Sequence, residues 1–281
     1  MVAGPSSPTG EASKTDIEGD DELVGVAASG PALPPATSPP RSLPAPRGGG
    51  IRSEGDVTAM FDEIAPDYDR LNTIMTLGLD RRWRAAAVAA SGLGPGDSAI
   101  DVAAGTGKLA AALAARVGPF GHVAAVDLSP GMVVRGRAAT DDLVQLEFLV
   151  GNALALPFED GRFDVATIAF GLRNLADFEA GFREMRRVVR PGGRVVCLEL
   201  TNPRPRWWGK VHHAAFRRLA PLAGSIAGHR QMYDYLPASL DGFPDADELA
   251  RLLASAGLVG VTIRRLGLGA VALHVGRVPT S

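Results

Sequence analysis

The stretch Ala99-Ile100-Asp101-Val102-Ala103-Ala104-Gly105-Thr106-Gly107-Lys108 constrains this chain more than any other. An apolar run ends on a carboxylate, crosses a turn of small residues and opens into the alanine-rich run 109–117. That order reads as strand, tight loop, helix. The glycines admit a ligand close to the backbone, and the first helical turn offers N–H groups that lack an intrahelical acceptor. A second acid, Asp127, closes the next apolar run, 122–127. Strand, glycine loop, helix, strand, acid is an arrangement that holds an adenosine-bearing cofactor, the acid accepting hydrogen bonds from ribose hydroxyls.

Two cofactor classes compete for this loop. Gly105-x-Gly107-x-x-Ala110 satisfies the relaxed dinucleotide fingerprint, so an NAD(P)-dependent oxidoreductase is one reading. Asp101 argues for the other. Beside a pyrophosphate it faces like charge; beside the ammonium of S-adenosyl-L-methionine it faces opposite charge. The electrostatics favour S-adenosyl-L-methionine, with Asp101, Gly105, Gly107 and Asp127 as its candidate binding residues.

The net charge of −2 over 281 residues gives no electrostatic case for a nucleic-acid partner. With 46% hydrophobic and 21% charged residues, the composition is that of a globular core. The lone cysteine, Cys197, excludes an intrachain disulfide and a cysteine-based zinc cage, and no metal site is expected. It sits in the apolar run 195–198, where an inert buried thiol is expected. No apolar run reaches the length of a membrane span, and no basic flank precedes an apolar core at the N-terminus. A cytoplasmic protein is expected.

Residues 1–54 are rich in Pro, Ser, Gly, Ala and Thr, and read as a disordered tail ahead of a single domain over 55–281. Residues 56–91 read as helical, with Val57, Met60, Phe61 and Ile64 on one face and Pro66 as the stop. Such a layer covers a cofactor cleft, which makes Asp67-Tyr68-Asp69 candidates for facing it. From 98 to 200, strands at 98–102, 123–127, 146–150, 165–169 and 194–200 alternate with helices near 107–117, 130–139 and 176–190. That pattern predicts a parallel sheet covered on both faces, an α/β fold. Pro191-Gly192-Gly193 reads as a helix stop and turn. Asn152, after the third strand and ahead of Leu156-Pro157-Phe158, suits the edge of an adenine. After the fourth strand, Arg173 and Asn174 are placed to bind substrate oxygens. Within a substrate-side insertion over 203–240, residues 203–228 break the alternation: a basic amphipathic stretch with Trp207 and Trp208 near its start reads as a lid over the site, a membrane-surface helix, or both. Tyr233, Asp234 and Tyr235 lie just beyond it. A helix starting at Asp245 and an antiparallel hairpin turning at Gly267-Leu268-Gly269 complete the chain.

Over 56–277 the sequence resembles the ubiquinone/menaquinone biosynthesis C-methyltransferases. The marks are Phe61-Asp-Glu-Ile-Ala-Pro-Asp-Tyr-Asp69, Asp101 to Gly107, Gly151-Asn-Ala-Leu-Ala-Leu-Pro-Phe158, Ala169-Phe-Gly-Leu-Arg-Asn174, Arg183 to Gly193 and Val271-Ala-Leu-His274. Phe-Gly-Leu-Arg-Asn is the most discriminating. The resemblance implies a class I S-adenosyl-L-methionine-dependent methyltransferase fold, Rossmann-like and mostly parallel with a reversed last strand. It carries over Thr106, Asp127, Asn152 and Ala153 as cofactor residues, and makes the implied acceptor a prenylated quinol, most directly demethylmenaquinol, methylated on a ring carbon during transient contact with a membrane surface. Tyr68, Asn72 and Tyr235 are then candidates for touching substrate. Arg173 is expected to stabilise the developing phenolate and Asn174 to orient the ring oxygen. Arg173 is too basic to be the proton acceptor, which leaves a water, Asp69, His229 or Tyr235.

Three departures stand out. Lys108 replaces the aspartate that follows the loop in the family pattern. Tyr235-Leu-Pro-Ala-Ser-Leu240 lacks the pattern's glutamate, and Leu266-Gly-Leu-Gly269 stands in place of Leu-Thr-Gly-Gly. They keep two further readings open: a paralogue acting on another quinol or phenol, and a noncatalytic methyltransferase-shaped subunit.

Overall fold

Apolar runs that alternate with capped amphipathic segments fold here into a sheet sandwiched by helices. The computed structural model describes residues 54–201 and 243–280, together with Met1, the pair Val24–Gly25 and Ser239. The strands are β1 (Val24–Gly25), β2 (Ser98–Val102), β3 (His122–Asp127), β4 (Leu146–Val150), β5 (Phe163–Ala169), β6 (Val189–Leu200), β7 (Val259–Leu266) and β8 (Val271–Arg277). The helices are α1 (Glu54–Ile64), α2 (Tyr68–Met75), α3 (Asp80–Ser91), α4 (Lys108–Val117), α5 (Pro130–Ala139), α6 (Phe178–Val188) and α7 (Ala246–Ser255).

The strand order is β1-β7-β8-β6-β5-β2-β3-β4. Strands β2 to β6 run parallel, and β8 enters antiparallel to β6, pairing Leu200 with Val271. This is the expected α/β architecture, mostly parallel with a reversed last strand. The chain leaves β2 towards β3 and β4 on one side and returns to β5 and β6 on the other. The carboxyl ends of β2 and β5 therefore flank the switch point at which open α/β sheets bind ligands.

Side chains alternate across the sheet and fill two cores. Ile100, Val102, Ala166 and Ile168 pack with Phe182 and Met185 of α6 and with Leu249 and Leu253 of α7. On the other face Ala99, Val123, Ala125 and Val165 meet Leu109, Leu113 and Val117 of α4 and Val133 of α5. Local chemistry sets the helix ends. The Ser129 hydroxyl accepts from the Met132 amide with Pro130 in the first turn, and Asp177 caps α6. Asp245 and Glu248 form a reciprocal capping box on α7.

Two details differ from the sequence reading. Strand β6 begins at Val189, before Pro191-Gly192-Gly193. The four residues 190–193 bulge out between the pairs Phe163–Val189 and Val165–Arg194, held where the Gly192 amide donates to the Val278 carbonyl at 2.9 Å. Within the tail, Val24–Gly25 pairs antiparallel with Ile263 and Thr262. An edge strand such as β7 presents unpaired N–H and C=O groups that recruit such a segment. The amphipathic stretch of 203–240 lies outside the described residues, apart from Ser239. Cys197 is buried, which pushes its thiol pKa up, as suits an inert group. Among the described residues no helix is long and apolar enough to cross a membrane.

Candidate active site

A cleft opens at the carboxyl ends of β2, β3 and β5, roofed by Val57, Thr58 and Phe61 of α1 and Tyr68 of α2. Asp101 lies at its base with 1% of its surface exposed, and its Oδ1 accepts the Thr167 hydroxyl at 2.6 Å. Burial raises the Asp101 pKa to about 7; the bond from Thr167 and the nearby Arg84 cation pull the other way. A buried carboxylate at a cleft wall attracts a cationic ligand group, because ionising it without one is costly.

The glycine loop is built around Asp127. One carboxylate oxygen accepts the Gly105 amide at 2.7 Å and the other the Ser129 amide at 2.9 Å. Burial raises its pKa, and these backbone bonds oppose the shift. Two fixed oxygens, each with a lone pair to spare, suit a vicinal diol. Beyond β4, Asn152 accepts the Leu154 amide through Oδ1 at 2.8 Å, which fixes its amide plane beside Gly151 and Ala153 in the cleft wall. One cleft thus holds groups complementary to an ammonium, a diol and an adenine edge, and these residues fit S-adenosyl-L-methionine.

Of the residues singled out in the sequence, Asp101, Gly105, Thr106, Asp127, Asn152, Ala153, Tyr68 and Asn174 line the cleft together. Gly107 does not. It is the left-handed residue ahead of α4 (φ 78°), set against the Phe148 ring. Asn72 is half-buried on α2 and does not line the cleft; its carbonyl accepts the Thr76 hydroxyl at 2.8 Å. Arg173 departs furthest from the sequence reading. It is 5% exposed and absent from the cleft wall, and its Nη1 meets Glu199 Oε1 at 2.5 Å, Glu199 being fully buried. The Arg173 amide also points at Glu199, at 3.4 Å. A guanidinium beneath the surface requires such a partner. Tyr235, with His229, lies outside the described residues. The Asp69 carboxylate accepts the Thr106 hydroxyl and lies 3.4 Å from Lys108 Nζ.

Sequence reasoning passed over Arg84 and Phe170. Arg84 lines the cleft, pairs with buried Asp80 at 2.5 Å and lies 5.3 Å over the Phe170 ring. Its signal was the i,i+4 pair Asp80–Arg84 at the start of an alanine-rich helix. Phe170 (φ 58°) and Ala103 (φ 52°) hold left-handed backbone although neither is glycine, and both line the cleft. Strain of this kind concentrates at functional sites. Gly171 permits it: an added Cβ there would sit 2.6 Å from the Ala103 Cβ.

Fold and cleft together define a class I S-adenosyl-L-methionine-dependent methyltransferase. Solved structures share the architecture. A SAM-dependent methyltransferase of Aquifex aeolicus superposes with a TM-score of 0.53 at 18% identity, covering 69% of this chain and 89% of that one. A SAM-dependent methyltransferase of Thermotoga maritima gives 0.55 at 17% identity, covering 78% and 98%. Residues 51–278 match the model of the ubiE/COQ5 methyltransferase family, and the chain belongs to that family. It is similar to the demethylmenaquinone methyltransferase of Roseiflexus castenholzii, 44% identical over 78% of this chain and 92% of the relative. It is also similar to that of Beutenbergia cavernae (43%, over 79% and 90%) and that of Staphylococcus aureus (37%, over 78% and 92%).

Proposed function

We propose that this methyltransferase transfers a methyl group to a ring carbon of a reduced prenylated quinone, with demethylmenaquinol the acceptor. The observation that carries the reading is the buried Asp101 carboxylate in a cleft whose residues belong to a family with quinone-methylating relatives. S-adenosyl-L-methionine supplies an electrophilic methyl group on a sulfonium. The residues then have three tasks: holding the cofactor, aligning the ring carbon and favouring the phenolate that makes this carbon nucleophilic. Asp127 takes the ribose hydroxyls, Asn152 and Ala153 the adenine edge, and Asp101 the ammonium, with Gly105 and Thr106 shaping the loop between.

On the acceptor side, Phe170 and Tyr68 give the ring apolar walls, and Asn174 orients its oxygen. Arg173 acts one step removed. Bound to Glu199 at the end of β6, it fixes the 3-10 turn Leu172–Asn174 that presents Asn174 to the cleft. A prenylated acceptor sets the reaction at a membrane surface, with the enzyme on its cytoplasmic side.

Mass spectrometry of products from a panel of quinols and simple phenols tests this reading. A methyl group on the ring carbon of demethylmenaquinol supports it. Methylation of another phenol alone, which the altered residues 235–240 make worth testing, overturns the choice of acceptor.

A further inference from the structure

Two exposed leucines near the cleft contradict the rules of a solvated surface. Leu77, between α2 and α3, is 88% exposed, and Leu268, at the tip of the β7–β8 turn, is 81% exposed. Both hold left-handed backbone, with φ of 51° and 56°. That conformation suits Gly, Asn or Asp and is unfavourable for a branched apolar side chain. At each site water and backbone alike disfavour leucine. Position 268 is also where the resembled sequence pattern carries glycine.

The two tips share one border. Gly267 lies against the Trp83 ring, so closely that an added Cβ would be 2.9 Å from it, and the Trp83 amide donates to the Leu79 carbonyl at 3.1 Å. Trp83 in turn leans on Phe170 in the cleft wall, with ring centroids 6.3 Å apart. Because β8 pairs with β6 from Leu200–Val271 onward, the β7–β8 turn stands at the same end of the sheet as the cleft mouth. Leu79 is partly exposed beside Leu77, and Arg81 and Arg82, exposed in the first turn of α3, add positive charge. The other strongly exposed apolar residues include Phe120 and Val144. They precede β3 and β4 at the opposite end of the sheet, in right-handed or extended backbone.

We propose that the tips Leu77 and Leu268 are a docking rim that inserts into the headgroup layer of an anionic bilayer, with Arg81 and Arg82 facing its phosphates. Apolar tips with two exposed arginines beside one of them match an anionic lipid interface, and the rim meets the membrane with the cleft mouth turned towards it. A bilayer-embedded acceptor then enters past Phe170 without crossing water. This route rests on the quinol reading; the docking itself does not.

The test uses the full chain and the double variant Leu77→Asn/Leu268→Asn, which places at both sites a residue at ease in left-handed backbone and so preserves the fold. Phe120→Ser serves as the control. In sedimentation with phosphatidylglycerol/phosphatidylcholine vesicles at low salt, the double variant binds at least ~10-fold more weakly than wild type, and Phe120→Ser binds as wild type. Turnover of a long-prenyl acceptor in vesicles falls with it, while turnover of a short-chain, water-soluble acceptor is unchanged. Equal vesicle binding by wild type and double variant overturns the proposal, as does an equal loss on both acceptors. A wild type that methylates neither acceptor overturns the quinol reading, and the vesicle arm then decides docking on its own.

Discussion

The Thr106 hydroxyl donates to the Asp69 carboxylate at 2.6 Å, tying the cofactor loop to the helical layer above it. A second tie runs from Asp62 on α1, whose Oδ1 accepts the Ser129 hydroxyl at 2.5 Å and the Gly131 amide at 2.8 Å. Each carboxylate thus reaches the start of a helix that follows a cofactor strand, where free amides and the helix dipole favour negative charge. Lys108 joins the first tie by bringing a cation to Asp69, where an aspartate would repel it.

Removing the first tie therefore loosens the roof. Asp69→Ala is expected to raise the cofactor dissociation rate about 5-fold, the worth of one partly exposed hydrogen bond to a charged group. Lys108→Ala should stay within about 2-fold, because Lys108 and Asp69 are 32% and 34% exposed and water screens the pair. Stopped-flow displacement of bound cofactor measures both. A larger effect of Lys108→Ala would mean that the cation contacts the cofactor directly.

Asp101 links stability and binding with opposite signs. Its pKa rises from 3.8 unfolded to about 7 folded. Between those values the folded chain keeps a proton that the unfolded chain has lost, so stability falls as pH rises from about 4 to 7 and is level above. Cofactor affinity runs the other way, being lost as pH falls through 7 and the carboxylate is neutralised. Asp101→Asn keeps an acceptor for Thr167 without the charge. At pH 8 it should raise the apo-protein stability by up to about 4 kcal/mol, at about 1.4 kcal/mol per pKa unit, and weaken cofactor binding at least ~10-fold. Thermal melts at pH 5 and 8 check the first effect, with Asp127 leaving part of the slope, and calorimetry checks the second.

The buried Arg173–Glu199 pair separates anchoring from contact. Arg173→Ala or Glu199→Gln each removes one charge of a buried ion pair, at a cost of about 3–5 kcal/mol. Both should lower Tm and kcat together while cofactor Kd stays within about 2-fold, because the turn carrying Asn174 loses its anchor and the cofactor residues do not. Asn174→Ala should lower kcat with Tm unchanged. If Arg173→Ala leaves Tm unchanged yet abolishes turnover, the guanidinium acts on the acceptor itself.

Much of this was legible in the sequence, for stateable reasons. The strands announce themselves because both faces of the sheet are covered, so each is a short apolar run. The helix starts do so because Ser129-Pro130, Asp177 and Asp245 are strong caps. One wall of the cleft was readable because its residues follow strand ends in chain order. Arg173 read as a substrate-binding group because it follows a strand end, and the partner that holds it beneath the surface, Glu199, sits 26 residues on, near the end of β6. Glu199, an acid directly after the apolar run Val195-Val-Cys-Leu198, was the available signal. The left-handed Ala103 and Phe170 left no trace, since neither is a residue type that favours such backbone.

Phe148 shows how the glycine loop depends on packing away from the ligand. Its ring fills the space between the backbones of two helices, and an added Cβ at Gly107 or at Gly136 would overlap it. Gly136 lies within α5 in ordinary helical backbone, where alanine would otherwise stabilise by about 1 kcal/mol. Gly136→Ala is therefore expected to destabilise only through the collision, and Phe148→Leu should relieve it. The two changes should couple favourably by about 1–3 kcal/mol in a double-mutant cycle read by urea denaturation. Gly107→Ala should be rescued less, because its φ of 78° penalises any side chain whatever stands opposite. Since Gly107 sets the entry of α4 beneath Gly105 and Thr106, its variant should also weaken cofactor binding, whereas Gly136→Ala/Phe148→Leu should not.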